Sequence, residues 1–313
     1  MVELVETIAL LHHFITSTSS VQALPMITST HNPKLKLIHS LQGRAKERRD
    51  AGAFVVDGVR LVEEAVNSNW GFRLALYDED LGERGMSQVE ALKSRGVDCE
   101  MVSTSLMKSL SETETPQGIL AVLELTQLRI PNYPNFILIP DQIRDPGNLG
   151  TLLRTAAAAG VQAVLLPPET TDAFAPKVLR SGMGAHFRLP IHSMSWDEID
   201  HFIAGSESHL TKQDDANRED SAHLSERSNL SGATHPRLQV FLADMDGQSC
   251  WEADLRQPVA LIIGNEADGA SKSARKLANG KITIQMNGSV ESLNAGVAGS
   301  VLMFEVVRQR STL

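Results

Sequence analysis

Three polar, glycine-bearing segments stand where apolar runs end, and each carries side chains suited to holding a ligand. The first runs from Asp141 to Ala156 and reads DQIRDPGNLGTLLRTA. It turns at Pro146-Gly147 and enters an alanine-rich helix that Asn148 can cap. Gly150 lets another backbone come close. Arg154, farther along that helix, can bind a phosphate beside the helix N-terminus. An arginine flanked by Leu153 and Ala156 also suits a surface position with its stem laid on apolar neighbours.

The second segment, Leu261 to Gly269, reads LIIGNEADG. Ile263, Gly264, Asn265, Glu266 and Gly269 can form a plain strand-to-helix turn. They can equally form a backbone-lined pocket for a cationic ligand, which carbonyl oxygens and the Glu266 carboxylate would favour. The third, Ile284 to Asn294, reads IQMNGSVESLN. Ser292 and Asn294 open the last helix, and Ser292 suits its N-cap. Neither has the histidine partner that a nucleophilic serine needs nearby in sequence. The chain also lacks a Gly-x-Ser-x-Gly elbow, which argues against a hydrolase.

The elements that would position these segments follow from the apolar runs. Phe136–Ile139, Ala163–Leu166, Val240–Ala243, Val259–Ile263 and Ile282–Met286 read as strands of a parallel sheet covered on both faces. In such open sheets ligands sit outside the carboxyl ends of the strands, where the three segments lie. Ahead of them, residues 27–127 read as a separate small α/β unit. Its strands are expected at Ala53–Val56, Leu74–Tyr77, Cys99–Val102 and Ile119–Leu123, and its first helix starts at His31-Asn32-Pro33. Residues 128–135, with Pro131 and Pro134, read as a linker to a unit spanning 136–313. Residues 1–26 read as a loosely attached extension, and Met26 as a candidate for the true start of the protein, because organised sequence begins at Ile27. The polar segment 205–236 lacks the apolar residues needed to offset ordering entropy, which predicts a disordered insertion.

Composition narrows the function classes. The 313 residues carry a net charge of −9, so the chain as a whole lacks a basic footprint for nucleic acid. A local one exists: Lys34, Lys36, Arg44, Lys46, Arg48 and Arg49 gather with Glu47 as the only acid among them. They suit a solvated helix face, and they also suit phosphate contact. Two distant cysteines, Cys99 and Cys250, make no disulfide framework or metal spacing and point to a reducing, cytoplasmic setting. No run is long and apolar enough to predict a membrane span. No metal is expected, because His209, His223 and His235 match no common ligand spacing. A dinucleotide fingerprint fails at Gly182-Met183-Gly184, where Phe187 takes the third glycine's place.

Taken together, the three segments closely resemble the SpoU (TrmH-type) RNA methyltransferases of the SPOUT superfamily. Asn148-x-Gly150-x-x-x-Arg154-x-Ala156 resembles their first motif, and Gly264-x-Glu266-x-x-Gly269 their second. Ile284-x-Met286-x-Gly288-x-x-x-Ser292-Leu293-Asn294 resembles the third, except that Gln285 stands where the family usually has proline. Residues 54–65 and Pro116-Gln117-Gly118-Ile119 resemble the substrate-binding domain that precedes many SpoU catalytic domains, which has a ribosomal-protein-like α/β/α fold.

The resemblance implies a C-terminal SPOUT α/β domain with a parallel sheet and a deep trefoil knot, S-adenosyl-L-methionine as cofactor, and a homodimer through the catalytic domain. It implies methyl transfer to a ribose 2′-hydroxyl, in ribosomal RNA more than in transfer RNA, by a protein with no membrane association. Arg154, Ser292 and Asn294 would act at the ribose and phosphate, supported by Asn148 and Glu266. Ile263, Gly264, Asn265, Gly269, Ile284, Met286 and Leu293 would hold the cofactor. Lys177 and Arg180, in a stretch similar to a family segment near the RNA, would join Lys34, Lys36, Arg44, Arg48 and Arg49 in binding it. A non-catalytic RNA-binding relative would be expected to lack Arg154, Ser292 or Asn294, and all three are present.

Overall fold

A computed structural model describes residues 26–205, 238–266, 269–287 and 292–311. The elements in chain order are β1 (Met26–Ile27), α1 (Pro33–Gln42), α2 (Ala45–Ala51), β2 (Ala53–Asp57), α3 (Val59–Asn67), β3 (Phe72–Tyr77), α4 (Glu83–Ser94), β4 (Asp98–Val102), α5 (Thr104–Leu110) and β5 (Ile119–Glu124). Next come β6 (Phe136–Pro140), α6 (Pro146–Ala158), β7 (Ala163–Leu166), α7 (Pro176–Gly182), β8 (Ile191–Ser193), α8 (Trp196–Gly205), β9 (Gln239–Ser249), β10 (Val259–Ile263), α9 (Lys272–Leu277), β11 (Gly280–Thr283) and α10 (Ala295–Ser311). The expected extension before Met26, most of the expected insertion, and Gly288 of the third motif lie outside the described residues.

Two sheets carry the molecule. The first has the order β1-β4-β3-β5-β2, with β5 antiparallel to both its neighbours. The second has the order β11-β9-β10-β6-β7-β8, and every pairing in it is parallel. Its central strand shows why a continuous apolar run is needed there. Val259, Leu261 and Ile263 of β10 enter one core, and Ala260 and Ile262 the other. A strand buried on both faces has no polar positions to alternate with.

Helix starts follow local chemistry, with two corrections. Asn32 caps α1 by accepting the Lys34 N–H, and Pro33 takes the first helical position as expected. The cap of α6 is Asp145, not Asn148: Pro146 fills the first position, and Asp145 accepts the Asn148 N–H at 2.8 Å. The last helix starts at Ala295, so Ser292 is not its cap. Asn294 accepts the Val297 N–H there at 3.2 Å. The strand expected at Ile282–Met286 is shifted to Gly280–Thr283, which leaves Ile284 and Met286 in the following loop.

The two units meet on a buried seam. Phe174, Leu179 and Phe187 of the second unit pack into the core of the first. The Phe54 and Phe174 rings lie 5.0 Å apart, and those of Trp70 and Phe187 5.3 Å. Buried Arg48 reaches across to Asp172 at 2.6 Å and also donates to the carbonyls of Leu41 and Gly43. Arg188 pairs with Glu64 on the same seam. His186 is fully buried beside Phe174, with its Nε2 2.8 Å from the Ala173 carbonyl. Burial pushes its pKa down to about 4.

Candidate active site

The three motif segments converge on one carboxylate oxygen. Glu266 Oε1 accepts from Asn148 Nδ2 at 2.7 Å, from Asn294 Nδ2 at 2.7 Å and from the Ala295 backbone N–H at 2.8 Å. Asn294 Nδ2 also donates to Asn148 Oδ1 at 2.8 Å. A charged acceptor with three donors is a strong local organiser. It fixes two side-chain amides, drawn from the first and third motifs, of which Asn148 is half-buried and Asn294 exposed.

Beside this cluster lies a cavity of about 240 Å³. Ile263, Gly264, Asn265, Glu266, Gly269, Ile284, Met286, Ser292 and Leu293 all line it. Its wall requires glycine: a Cβ on Gly264 would stand 2.9 Å from the Ala270 nitrogen, and Gly269 has φ +67°. Reciprocal backbone hydrogen bonds between Asn265 and Gly269 close the loop. Below it Asp141, fully buried, accepts the Ser271 N–H at 2.6 Å. Burial raises the Asp141 pKa, against the hydrogen bonds from Ser271.

Charged wall residues were missed at the sequence level. Asp244 and Arg275 line the cavity, joined by a 2.8 Å bond between Arg275 Nη1 and Asp244 Oδ2. Lys281 Nζ stands 3.2 Å from the same oxygen. Burial opposes ionisation of Asp244. The Asp246 N–H and the Lys281 and Arg275 cations outweigh it, so the carboxyl sits below its usual range. Ile282, Ala298 and Leu302 supply apolar wall. An apolar pocket with a few fixed polar groups on its wall suits a nucleoside-sized ligand.

Arg154 stands apart. It is exposed on α6, does not line the cavity, and makes no hydrogen bond or ion pair among the described residues. The face of α6 next to it packs on α10, where Thr155 Oγ1 and Ser300 Oγ are 2.9 Å apart. A Cβ on Gly299 would meet Leu152 Cδ2 at 2.3 Å, so the leucine would have to move to admit a larger residue.

The expected RNA-binding set divides. Lys36, Arg44, Arg49 and Lys177 are exposed and have no ion pair among the described residues. Arg48 needs correction, and Lys34 and Arg180 are ion-paired within the chain. Arg48 is 3% exposed and committed to Asp172, because the second unit covers it. Lys34 is held by Asp98 and Glu100. Arg180 turns toward the first unit and pairs with Glu112 at 3.1 Å.

Comparisons with known proteins identify the family. The model of the SpoU rRNA Methylase family matches residues 135–304, and that of the MRM3-like substrate binding domain matches residues 32–121. The chain is 33% identical to the mitochondrial rRNA methyltransferase 3 of Xenopus laevis, over 85% of this chain and 72% of that one. It is 29% identical to RlmP of Bacillus subtilis, a 23S rRNA guanosine 2′-O-methyltransferase, over 90% and 99%. The structure superposes with a TM-score of 0.74 on the SpoU methyltransferase AviRb from Streptomyces viridochromogenes in complex with AdoMet. That match has 27% identity and covers 90% of this chain and all of that one. The chain belongs to the SpoU rRNA methylase family.

Proposed function

We propose that this protein is an S-adenosylmethionine-dependent enzyme that methylates a ribose 2′-hydroxyl in ribosomal RNA. The observation that carries this is the joining of Asn148, Glu266 and Asn294 at the lip of the cavity. Bound S-adenosylmethionine supplies an electrophilic methyl group on a sulfonium centre. The residues fit such a group: the Glu266 carboxylate and loop backbone carbonyls offer acceptors, apolar side chains cover the rest of the ligand, and Arg275 on the wall is neutralised by Asp244.

The side chains then have separable tasks. Asn148 and Asn294, locked by Glu266, orient the ribose, and Ser292 at the wall hydrogen-bonds the attacking hydroxyl. Positioning is the main requirement of an in-line displacement. Arg154 orients the adjacent phosphate and offsets charge. A guanidinium stays protonated in proteins, so it is not the base.

Arg154 reaches the reaction in a homodimer formed through the face of α6 and α10. In support, Val297 and Phe304 of α10 are 47% and 50% exposed, and Arg154 lies on the neighbouring helix. Arg154 of the partner subunit then completes each site. Residues 27–127 form the RNA-binding domain, 128–135 the connection, and 136–313 the catalytic domain, whose C-terminal part is threaded as a trefoil knot. Lys36, Arg44, Arg49 and Lys177 hold RNA backbone. The setting is cytoplasmic; among the described residues no helix is long and apolar enough to cross a membrane.

The test is transfer of a labelled methyl group to ribosomal RNA from cells lacking the protein, followed by mapping of 2′-O-methyl positions. Label on one ribosomal nucleotide is expected. Label on transfer RNA alone, or none with a folded protein, overturns the reading.

A further inference from the structure

The two carboxylates on the cavity wall are built differently. Glu266 Oε1 is saturated by three donors from the motifs around it. Asp244 lies within β9, outside every motif, and its side chain is 14% exposed. Among the described residues, Arg275 and Lys281 occupy its Oδ2 and the Asp246 N–H reaches its Oδ1 at 3.2 Å. A carboxylate is acceptor-only, with about four lone-pair sites on its two oxygens. Three donors therefore leave one acceptor site, on Oδ1, of a residue that lines the cavity.

We infer that Asp244 is a further cofactor-binding residue: its Oδ1 accepts a hydrogen bond from a hydroxyl or ammonium donor of S-adenosylmethionine, while Arg275 and Lys281 fix the carboxylate in place. Both cations come from elements flanking the strand, α9 and β11, so the acceptor is held from two sides before the ligand arrives. Arg275 also donates to the Ala270 carbonyl at 3.2 Å, which ties this acceptor to the glycine loop of the second motif. The inference rests on the cavity being the cofactor site.

Calorimetric titration of the whole protein with S-adenosylhomocysteine separates the two claims. No binding to the unaltered protein overturns the cavity assignment itself. With binding in hand, Asp244→Asn is the test. Two cations at Oδ2 keep the amide carbonyl, and the amide NH2 then opposes the ligand's donor. Affinity is expected to fall by about tenfold or more, the usual scale for a hydrogen bond to a charged group. A change of less than about twofold overturns the proposal. So does a loss equal to that of Arg275→Gln with no further loss in the double variant, because the carboxylate would then act through the arginine.

The donor is identified on the same variants with 5′-methylthioadenosine, which keeps the ribose hydroxyls and lacks the amino-acid end. An equal loss assigns the ribose hydroxyls, and no loss assigns the ammonium. If Asp244→Asn does not fold, ligands are varied on the unaltered protein instead. Retention of affinity within about twofold when the ribose hydroxyls and the amino-acid end are each removed overturns the proposal.

Discussion

The lip of the cavity and the seam between the two units are both made from residues distant in sequence, and they are made of opposite materials. At the lip, amides and a carboxylate meet in the open: Glu266 and Asn294 are exposed, and hydrogen bonds do all the joining. At the seam, aromatic rings interlock out of water and charges are buried only in pairs, as with Arg48 and Asp172. The difference shows in two arginines. Arg48 spends its guanidinium on carbonyls and a carboxylate and is a structural group. Arg154 has no partner among the described residues and is available to a ligand. A lip made only of hydrogen bonds should fail in chemistry before stability, and a seam made of burial should fail in the reverse order.

The sharpest way to break this contrast is Glu266→Ala. It releases both amides and the start of α10, and methyl transfer should fall by about 100- to 1000-fold while the melting temperature moves little. Activity retained within a few-fold would mean that the lip is ornament. The complementary substitution is Phe187→Ala at the seam. Truncating this buried ring should cost about 3–5 kcal/mol in chemical denaturation and leave S-adenosylhomocysteine affinity in the surviving folded fraction unchanged.

His186 gives the seam a pH signature. Its pKa is near 6.5 unfolded and about 4 folded. The unfolded chain therefore binds the proton more readily between these values. Stability from His186 is complete above pH 6.5 and drains away as pH falls toward 4, by of the order of 3 kcal/mol. Denaturation curves of the parent and His186→Gln should converge across that window, with no such convergence above pH 7.

Arg154→Lys sharpens the lip side. A lysine keeps the charge and loses the planar fork, so transfer should drop by about tenfold or more, with cofactor affinity and melting temperature unchanged. The smallest effect is expected from charge reversal at Arg44 and Arg49. RNA affinity should weaken and its salt dependence flatten by a slope of about 2, while turnover at saturating RNA is preserved. An unaltered slope would remove α2 from the RNA-binding surface.

Much of this was legible in the chain because burial leaves a plain trace. The strands of the second sheet read as unbroken apolar runs, and the lip residues sit at fixed distances inside glycine-bearing segments. What escaped depends on neighbours that sequence does not place. Asp244 resembles any half-exposed strand residue until Arg275, 31 positions later, closes on it. Arg48 looks like one more charge on a basic helix, and only the arrival of Asp172 from the other unit buries it. The three-residue β8 is too short to announce a period. The cap of α6 was readable after all, since a proline at the first helical position marks the residue before it.

One oxygen of Glu266 serves the first motif, the third motif and the opening N–H of α10 together. This edge therefore depends on all three segments at once. A chain clipped ahead of Ala295 would keep Arg154 and lose one of the three donors to this oxygen. Docking of α10 against the second motif is thus a condition for the ordered lip.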